Sequence, residues 1–449
     1  MKIGVVALLG LLATLMACAP AQPITSAASG ANATPAGSVT RMDSQRDIVL
    51  AVANPLTPAS THAGSSLLGY APAPHYGAGQ RAISELADLT RHYELQEVSG
   101  WPIKALDLYC VVLHPAPGVD RDALIAALQK DDRVQLAQPL QDYSVYSNGA
   151  GTTADAADAH KYNDPYADLQ RGFVETDAAL AHNSSQGDGV RVAIVDTGVD
   201  MTHPDLSGHI GDTRNVVDND TSAFDHDSHG TEVAGIIAAI GDNHQGMVGI
   251  APKARLSVYK ACWYPPDAQG GARCNSFTLA KALAAVNDTD ARIVNLSLGG
   301  PADPLLSKLL AKILSEGRIV ITAMPPDGKL SGFPDGAPGV IVVRTSATTT
   351  APPGVVSAPG NDILTTQPGG GYDFTSGSSM ATAHVSGIVA LMLSLAPGLD
   401  PASVHSILLS TSEQKKGMLE VNAAAAVAAL KKKSVTGYRA GAGSPSASR

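Results

Sequence analysis

Residues 374–393 read FTSGSSMATAHVSGIVALML, and the two halves of this stretch demand different backbones. The first half is small and glycine-rich, as a tight turn requires. The second repeats apolar residues at helical spacing (Val385, Ile388, Val389, Met392, Leu393), as a buried helix requires. Ser378 and Ser379 therefore fall where the turn becomes the helix. A hydroxyl in that first turn lies beside backbone N–H groups that have no intrahelical acceptor, at the positive end of the helix dipole. Both features favour an oxyanion formed next to it. Read alone, the stretch equally describes a Ser-rich N-cap on a core helix.

Two further stretches bear on that choice. Residues 190–200, VRVAIVDTGVD, form a β-branched and apolar run that ends abruptly in Asp196, Thr197 and Gly198. The run reads as a buried strand delivering a carboxylate at its C-terminal end, where sites in open α/β sheets lie. A plain turn would use the same residues. Residues 226–239, HDSHGTEVAGIIAA, place His229 and Gly230 ahead of a helix whose apolar positions are Val233, Ile236 and Ile237. A single His is more often a satisfied polar group. All three stretches in one chain, in the order Asp, His, Ser, argue for a common site.

DTGVD, SHGTEVAGI and GSSMATAHVSG resemble the three catalytic blocks of the subtilisin-like serine peptidases. The resemblance runs from about Asn163 to Ala425. It takes in HPDL from His203, VGIAPKARL from Val248, NLSLGG from Asn295 and SAPG from Ser357. It implies an α/β three-layer fold with a mainly parallel central sheet, and a serine endopeptidase working through an acyl-enzyme. Asp196, His229 and Ser379 fall on the triad, with Ser379 as nucleophile because it directly precedes Met380; Ser378 takes a position the family often fills with Thr. Ser297, Leu298 and Gly299 resemble the strand that lines the groove and pairs with extended polypeptide substrate. Asp205 and Asn243 fall on positions that help hold a structural calcium in many relatives, and no other cofactor is implied. An α/β-hydrolase is disfavoured, because that fold places Ser before Asp and His.

The pattern breaks at residues 319–332, IVITAMPPDGKLSG. Relatives usually have Gly-Asn after this apolar strand, and the Asn donates to the oxyanion. Pro325 and Pro326 stand there instead, with neither a side-chain donor nor a backbone N–H. The Ser379 N–H remains. A slip of one residue would bring in Asp327, whose ionised carboxylate only accepts. A second function therefore stays open: a catalytically weak or silent domain of this fold acting as an anchored binding protein.

The 449 residues exceed one ordinary domain, and a hydrophobic share of 44% supplies a large core. A formal charge of -10 without a basic stripe argues against nucleic acid as partner. Lys2 and the apolar run to Met16 read as an export signal, too short for a comfortable membrane span. The run ends in LMAC, which resembles a bacterial lipobox with Cys18 lipidated; ordinary cleavage after Ala19 is the rival. The expectation is an exported protein of the bacterial cell envelope, lipid-anchored to the outer membrane, with residues 1–18 as signal.

Residues 19–79 are rich in Ala, Pro, Ser, Thr and Gly and read as a flexible tether despite a brief apolar run at 48–52. Residues 80–147 show helices near 81–90 and 120–130 and strands near 108–113 and 133–137. This small α+β, ferredoxin-like unit sits where subtilisin-like enzymes carry an inhibitory propeptide, which it resembles; an independent adaptor domain would occupy the same place. Residues 148–162 read as linker, 163–425 as the peptidase domain and 426–449 as a basic disordered tail. Processing is expected between about Gln141 and His160. Cys262 and Cys274 bracket a loop of Pro, Gly and Ala and are expected to form a disulfide, while Cys110 is expected as a buried thiol.

Overall fold

A computed structural model describes residues 42–55, 77–145, 160–218, 224, 226–265, 271–348, 350–415 and 418–440. The signal segment with Cys18, most of residues 19–79, residues 148–159 of the linker and the last nine residues lie outside the described ones.

The N-terminal unit is built around the run IVLAVA, β1 (Ile48–Ala53), which is buried on both faces. Around it the chain adds α1 (Gln80–His92), β2 (Leu95–Ile103), β3 (Leu108–Pro115), α2 (Arg121–Leu128) and β4 (Val134–Pro139). The four strands form an antiparallel sheet in the order β2-β3-β1-β4. Residues 48–53 are thus an inner strand of this unit and not tether. Their side chains alternate between two cores. Ile48, Leu50 and Val52 pack with Leu86 and Leu89 of α1 and Leu124 and Leu128 of α2. Val49 and Ala51, on the other face, join Cys110 and Val112 in the core of the larger unit. A strand covered on both sides must be apolar throughout. Asn54 ties the segment back to α1, bonding the Gly77 carbonyl at 3.0 Å and the Gly79 N–H at 2.8 Å. A last short strand, β5 (Asp142–Val145), leaves this unit altogether.

The larger unit begins with two short helices, α3 (Arg171–Glu175) and α4 (Ala178–Ala181). Next come β6 (Arg191–Asp196), β7 (Ile210–Asn215), α5 (Ser228–Ala238), β8 (Arg255–Lys260), β9 (Cys262–Trp263), β10 (Arg273–Asn275) and α6 (Ser276–Asn287). They are followed by β11 (Ile293–Leu296), β12 (Leu298–Gly299), α7 (Pro304–Ser315), β13 (Ile319–Ala323), β14 (Ile341–Thr345) and β15 (Val356–Ala358). The chain closes with β16 (Ile363–Gln367), β17 (Gly371–Thr375), α8 (Ser378–Leu395), α9 (Pro401–Ser410), β18 (Glu413–Lys415), β19 (Met418–Glu420) and α10 (Ala423–Ala440).

Seven strands form one parallel sheet in the order β15-β14-β13-β11-β6-β8-β7. Its two faces are legible in β6. Val192 and Ile194 share a core with side chains of α5, α8 and α10, whereas Ala193 and Val195 share one with α6 and α7. Three layers result, and the N-terminal sheet docks on the outer side of α6 and α7 through the shared core of Val49, Ala51, Leu283, Leu305 and Leu309. Residues 426–440, read above as part of a disordered tail, continue helix α10. The reason lies in Ala423, Ala426, Val427 and Leu430, a buried stripe at helical spacing. Cys262 and Cys274 stand opposite each other on β9 and β10 and are joined as a disulfide. Cys110 is a buried free thiol, its pKa pushed up to about 12 by burial and then by Asp303.

Candidate active site

Asp196 ends β6 with its side chain fully buried, and Oδ1 lies 2.7 Å from the Thr197 N–H nitrogen and 2.7 Å from Nδ1 of His229. His229 sits in the first turn of α5. The helix reaches the strand end this closely because two glycines face each other. Gly198 has a positive φ of 108°, and a Cβ on Gly230 would lie 1.9 Å from the Gly198 carbonyl oxygen. Thr197 Oγ1 accepts from the Gly230 N–H at 3.1 Å, and the Asp200 N–H donates to Thr231 Oγ1 at 3.0 Å, so turn and helix are stitched together.

Lys260, directly opposite Asp196 in the β6–β8 register, adds a charge to this joint. Its Nζ donates to the Thr197 carbonyl at 2.6 Å and pairs with Asp227, just ahead of α5. Sequence reasoning missed this residue. Its one signal is a lysine closing a strand-like run, RLSVYK.

Burial, the largest influence on His229, lowers its pKa. The Asp196 carboxyl, by charge and hydrogen bond, and Glu232 outweigh it, so the net shift is upward. His229 Nε2 is buried and has no hydrogen-bond partner among the described residues.

Ser379 is the second residue of α8 and fully buried. Its Oγ donates to the Ser297 carbonyl at 3.0 Å, and Ser297 Oγ donates back to the Ser379 carbonyl at 3.2 Å. Ser297 is itself fixed by Asn295, whose Nδ2 donates to it at 2.9 Å while Ser386 holds Asn295 Oδ1 at 2.9 Å. Since β11 neighbours β6, Ser297 and Asp196 leave the sheet at the same end, and Ser379 joins them there.

Leu298 and Gly299 form β12, which with β10 leaves a slot for one extended chain. β5 fills it, in the order β12-β5-β10-β9. Leu298 lies opposite Val145, Gly299 opposite Ser144, and Cys274 opposite Tyr143. The chain thus runs toward Ser297 along the groove.

Pro325 and Pro326 follow β13 at the same end. The Pro325 carbonyl accepts from the Gly328 N–H at 3.0 Å in a turn, and Pro326 is exposed. Asp327 is also exposed, its Oδ1 accepting from the Lys329 N–H at 3.1 Å. Ser378 Oγ donates to the Met324 carbonyl at 3.0 Å, locking the end of β13 to the start of α8.

Asp205 and Asn243 meet, with Nδ2 of Asn243 donating to Asp205 Oδ1 at 2.8 Å. Asp205 Oδ2 takes the Met247 N–H at 2.8 Å and the Tyr372 hydroxyl at 2.9 Å. Burial raises the Asp205 pKa, and these donors only partly offset it. A calcium ion needs six to eight oxygens, and here N–H and O–H donors already occupy the carboxylate. The arrangement does not fit the ion, and among the described residues no cluster of three or more His, Cys, Asp or Glu forms another site.

A strand-borne carboxyl, a helix-borne imidazole and a serine at a helix start thus lie at one end of a parallel sheet. A profile of the Subtilase family matches residues 187–426. Subtilisin E of Bacillus subtilis is 34% identical over 292 residues, covering 60% of this chain and 73% of the relative. Thermitase of Thermoactinomyces vulgaris is 32% identical over 266 residues, covering 57% and 92%. In fold the chain resembles fervidolysin from Fervidobacterium pennivorans, a keratinolytic enzyme related to subtilisin, at a TM-score of 0.67 and 20% identity, covering 85% of this chain and 61% of that one. The chain belongs to the subtilase family and is a serine-type endopeptidase with the subtilisin-like fold.

Proposed function

We propose that Ser379, His229 and Asp196 hydrolyse peptide bonds through an acyl-enzyme, and that residues 43–145 hold the precursor inactive. In this reading the Ser379 hydroxyl turns from the Ser297 carbonyl to His229 Nε2, gives up its proton there and attacks the carbonyl carbon. His229 then returns the proton to the leaving amine, and Asp196 fixes the tautomer and stabilises the imidazolium. The Ser379 N–H, at a helix start without an intrahelical acceptor, stabilises the oxyanion. The observation that carries the reading is the buried Asp196–His229 pair, 2.7 Å apart, whose Nε2 is left for an outside partner.

β5 supports the autoinhibitory part. It lies antiparallel to β12, as a substrate backbone would, and Val145 is one residue short of the Ser297 level. Cleavage therefore falls shortly after Val145. The precursor with Ser379→Ala should stay uncut when expressed alone, while the unaltered chain loses its N-terminal unit, read by N-terminal sequencing. Normal maturation of Ser379→Ala would remove the triad from the process.

We further infer an exported enzyme anchored by lipid on Cys18, supported by the apolar run after Lys2 and by LMAC. Label from a palmitate analogue should disappear in Cys18→Ser.

A further inference from the structure

One side chain of β5 goes far deeper than its neighbours. Asp142 and Ser144 are exposed, whereas Tyr143 between them is 1% exposed. Its ring meets Phe333 edge-on, with centroids 5.8 Å apart and planes at 79°. On another side it presses on Gly300, where an added Cβ would lie 2.3 Å from the ring. Walls of this kind accept any flat ring. The far end is different, because there the Tyr143 hydroxyl donates to Asp303 Oδ2 at 3.1 Å, and Asp303 is itself 1% exposed.

Asp303 is held in place without help from the ring. It is the N-cap of α7, with Oδ1 accepting from the Leu306 N–H at 2.9 Å, and Ser276 Oγ donates to Oδ2 at 2.6 Å. Burial and then Asp303 raise the Tyr143 pKa, which keeps the phenol protonated and able to donate.

We propose that Asp303 makes the groove select a tyrosine side chain, in whatever extended polypeptide lies there, at the position Tyr143 holds. The proposal rests on reading β5 as a substrate-like tail. Phenylalanine fills the same walls but leaves a buried oxygen one donor short, and leucine loses the ring contact as well. A site that reads a hydroxyl by hydrogen bond rejects the analogue lacking it more sharply than a site that reads shape alone. The preferred substrates are therefore extended segments with tyrosine a few residues before the scissile bond.

The test uses the processed protein and synthetic peptides of residues 140–150 carrying Tyr, Phe or Leu at position 143. The Tyr peptide should have a kcat/KM about 10- to 100-fold above the Phe peptide, and Asp303→Ser, which keeps a helix-capping hydroxyl, should shrink that ratio below about threefold. Equal cleavage of the Tyr and Phe peptides by the unaltered enzyme overturns the proposal and leaves the peptidase reading intact. If no peptide is cut, the peptidase reading fails, and selectivity is decided in the full-length Ser379→Ala chain. There Tyr143→Phe should lower the urea midpoint clearly, but hardly at all when combined with Asp303→Ser. Equal shifts in both backgrounds overturn the proposal.

Discussion

By the family resemblance, Pro325 and Pro326 fall where relatives place an oxyanion donor; neither proline has a donor to offer, and the Asp327 carboxylate accepts from the Lys329 N–H. Loss of one such donor in a subtilisin costs roughly 100- to 1,000-fold in kcat, about 3 to 4 kcal/mol, which leaves most of a protease's acceleration. Restoring the pattern with Pro325→Gly and Pro326→Asn should raise kcat by at least about tenfold and change KM little, since the oxyanion exists only in the transition state. A folded double mutant that is no faster shows that another donor already fills the hole. His229 gives the pH dependence. Its pKa is raised, so kcat/KM should climb with pH through an apparent pKa above the usual histidine value near 6.5. The same shift stabilises the fold at acid pH, and that stabilisation is lost as pH rises through the raised value. A rate profile already flat at pH 6 would contradict this. Asp196, His229 and Ser379 were legible because strand, turn and helix signals surround each of them. Lys260 and Asp303 were not, because their roles arise only across distance, the latter through a bond to a residue 160 positions away.

The elements that position the triad, β6, α5 and α8, carry strong periodic patterns and were read to within a few residues. In the N-terminal segment, three strands are not legible. β1 reads as a brief apolar run within tether, since residues 56–76 separate it from α1 and its partners β3 and β4 are more than 50 positions away. β2 mixes Gly, Trp and Pro with polar residues and gives no alternation. The short β5 is a strand only because β12 and β10 hold it on both sides. The position of β1 predicts a cost: Leu50→Ala in the Ser379→Ala precursor should lose about 2 to 5 kcal/mol of unfolding free energy. A tether residue would lose almost nothing, so an unchanged denaturation midpoint would take the strand out of the sheet.

On the scale of the whole molecule, the N-terminal unit and the peptidase share one apolar core, in which Val49, Ala51 and Cys110 pack with side chains of α6 and α7. The precursor should therefore unfold as one body. Asp205, with Asn243, Tyr372 and the Met247 N–H, knits the segment after α5 to β17 by hydrogen bonds that already occupy its carboxylate. A chelator should accordingly shift the melting temperature by less than about 2 °C, whereas bound calcium would stabilise by mass action and its removal would show. Once the tail leaves the groove, this fold should present a working nucleophile. A fluorophosphonate probe, which reacts with an activated serine, decides the matter. The processed enzyme should be labelled on Ser379 alone, and Ser379→Ala not at all. The uncut precursor, with β5 in place, should react far more slowly. A processed, folded protein that takes no label would mean a catalytically silent binding domain of this fold instead.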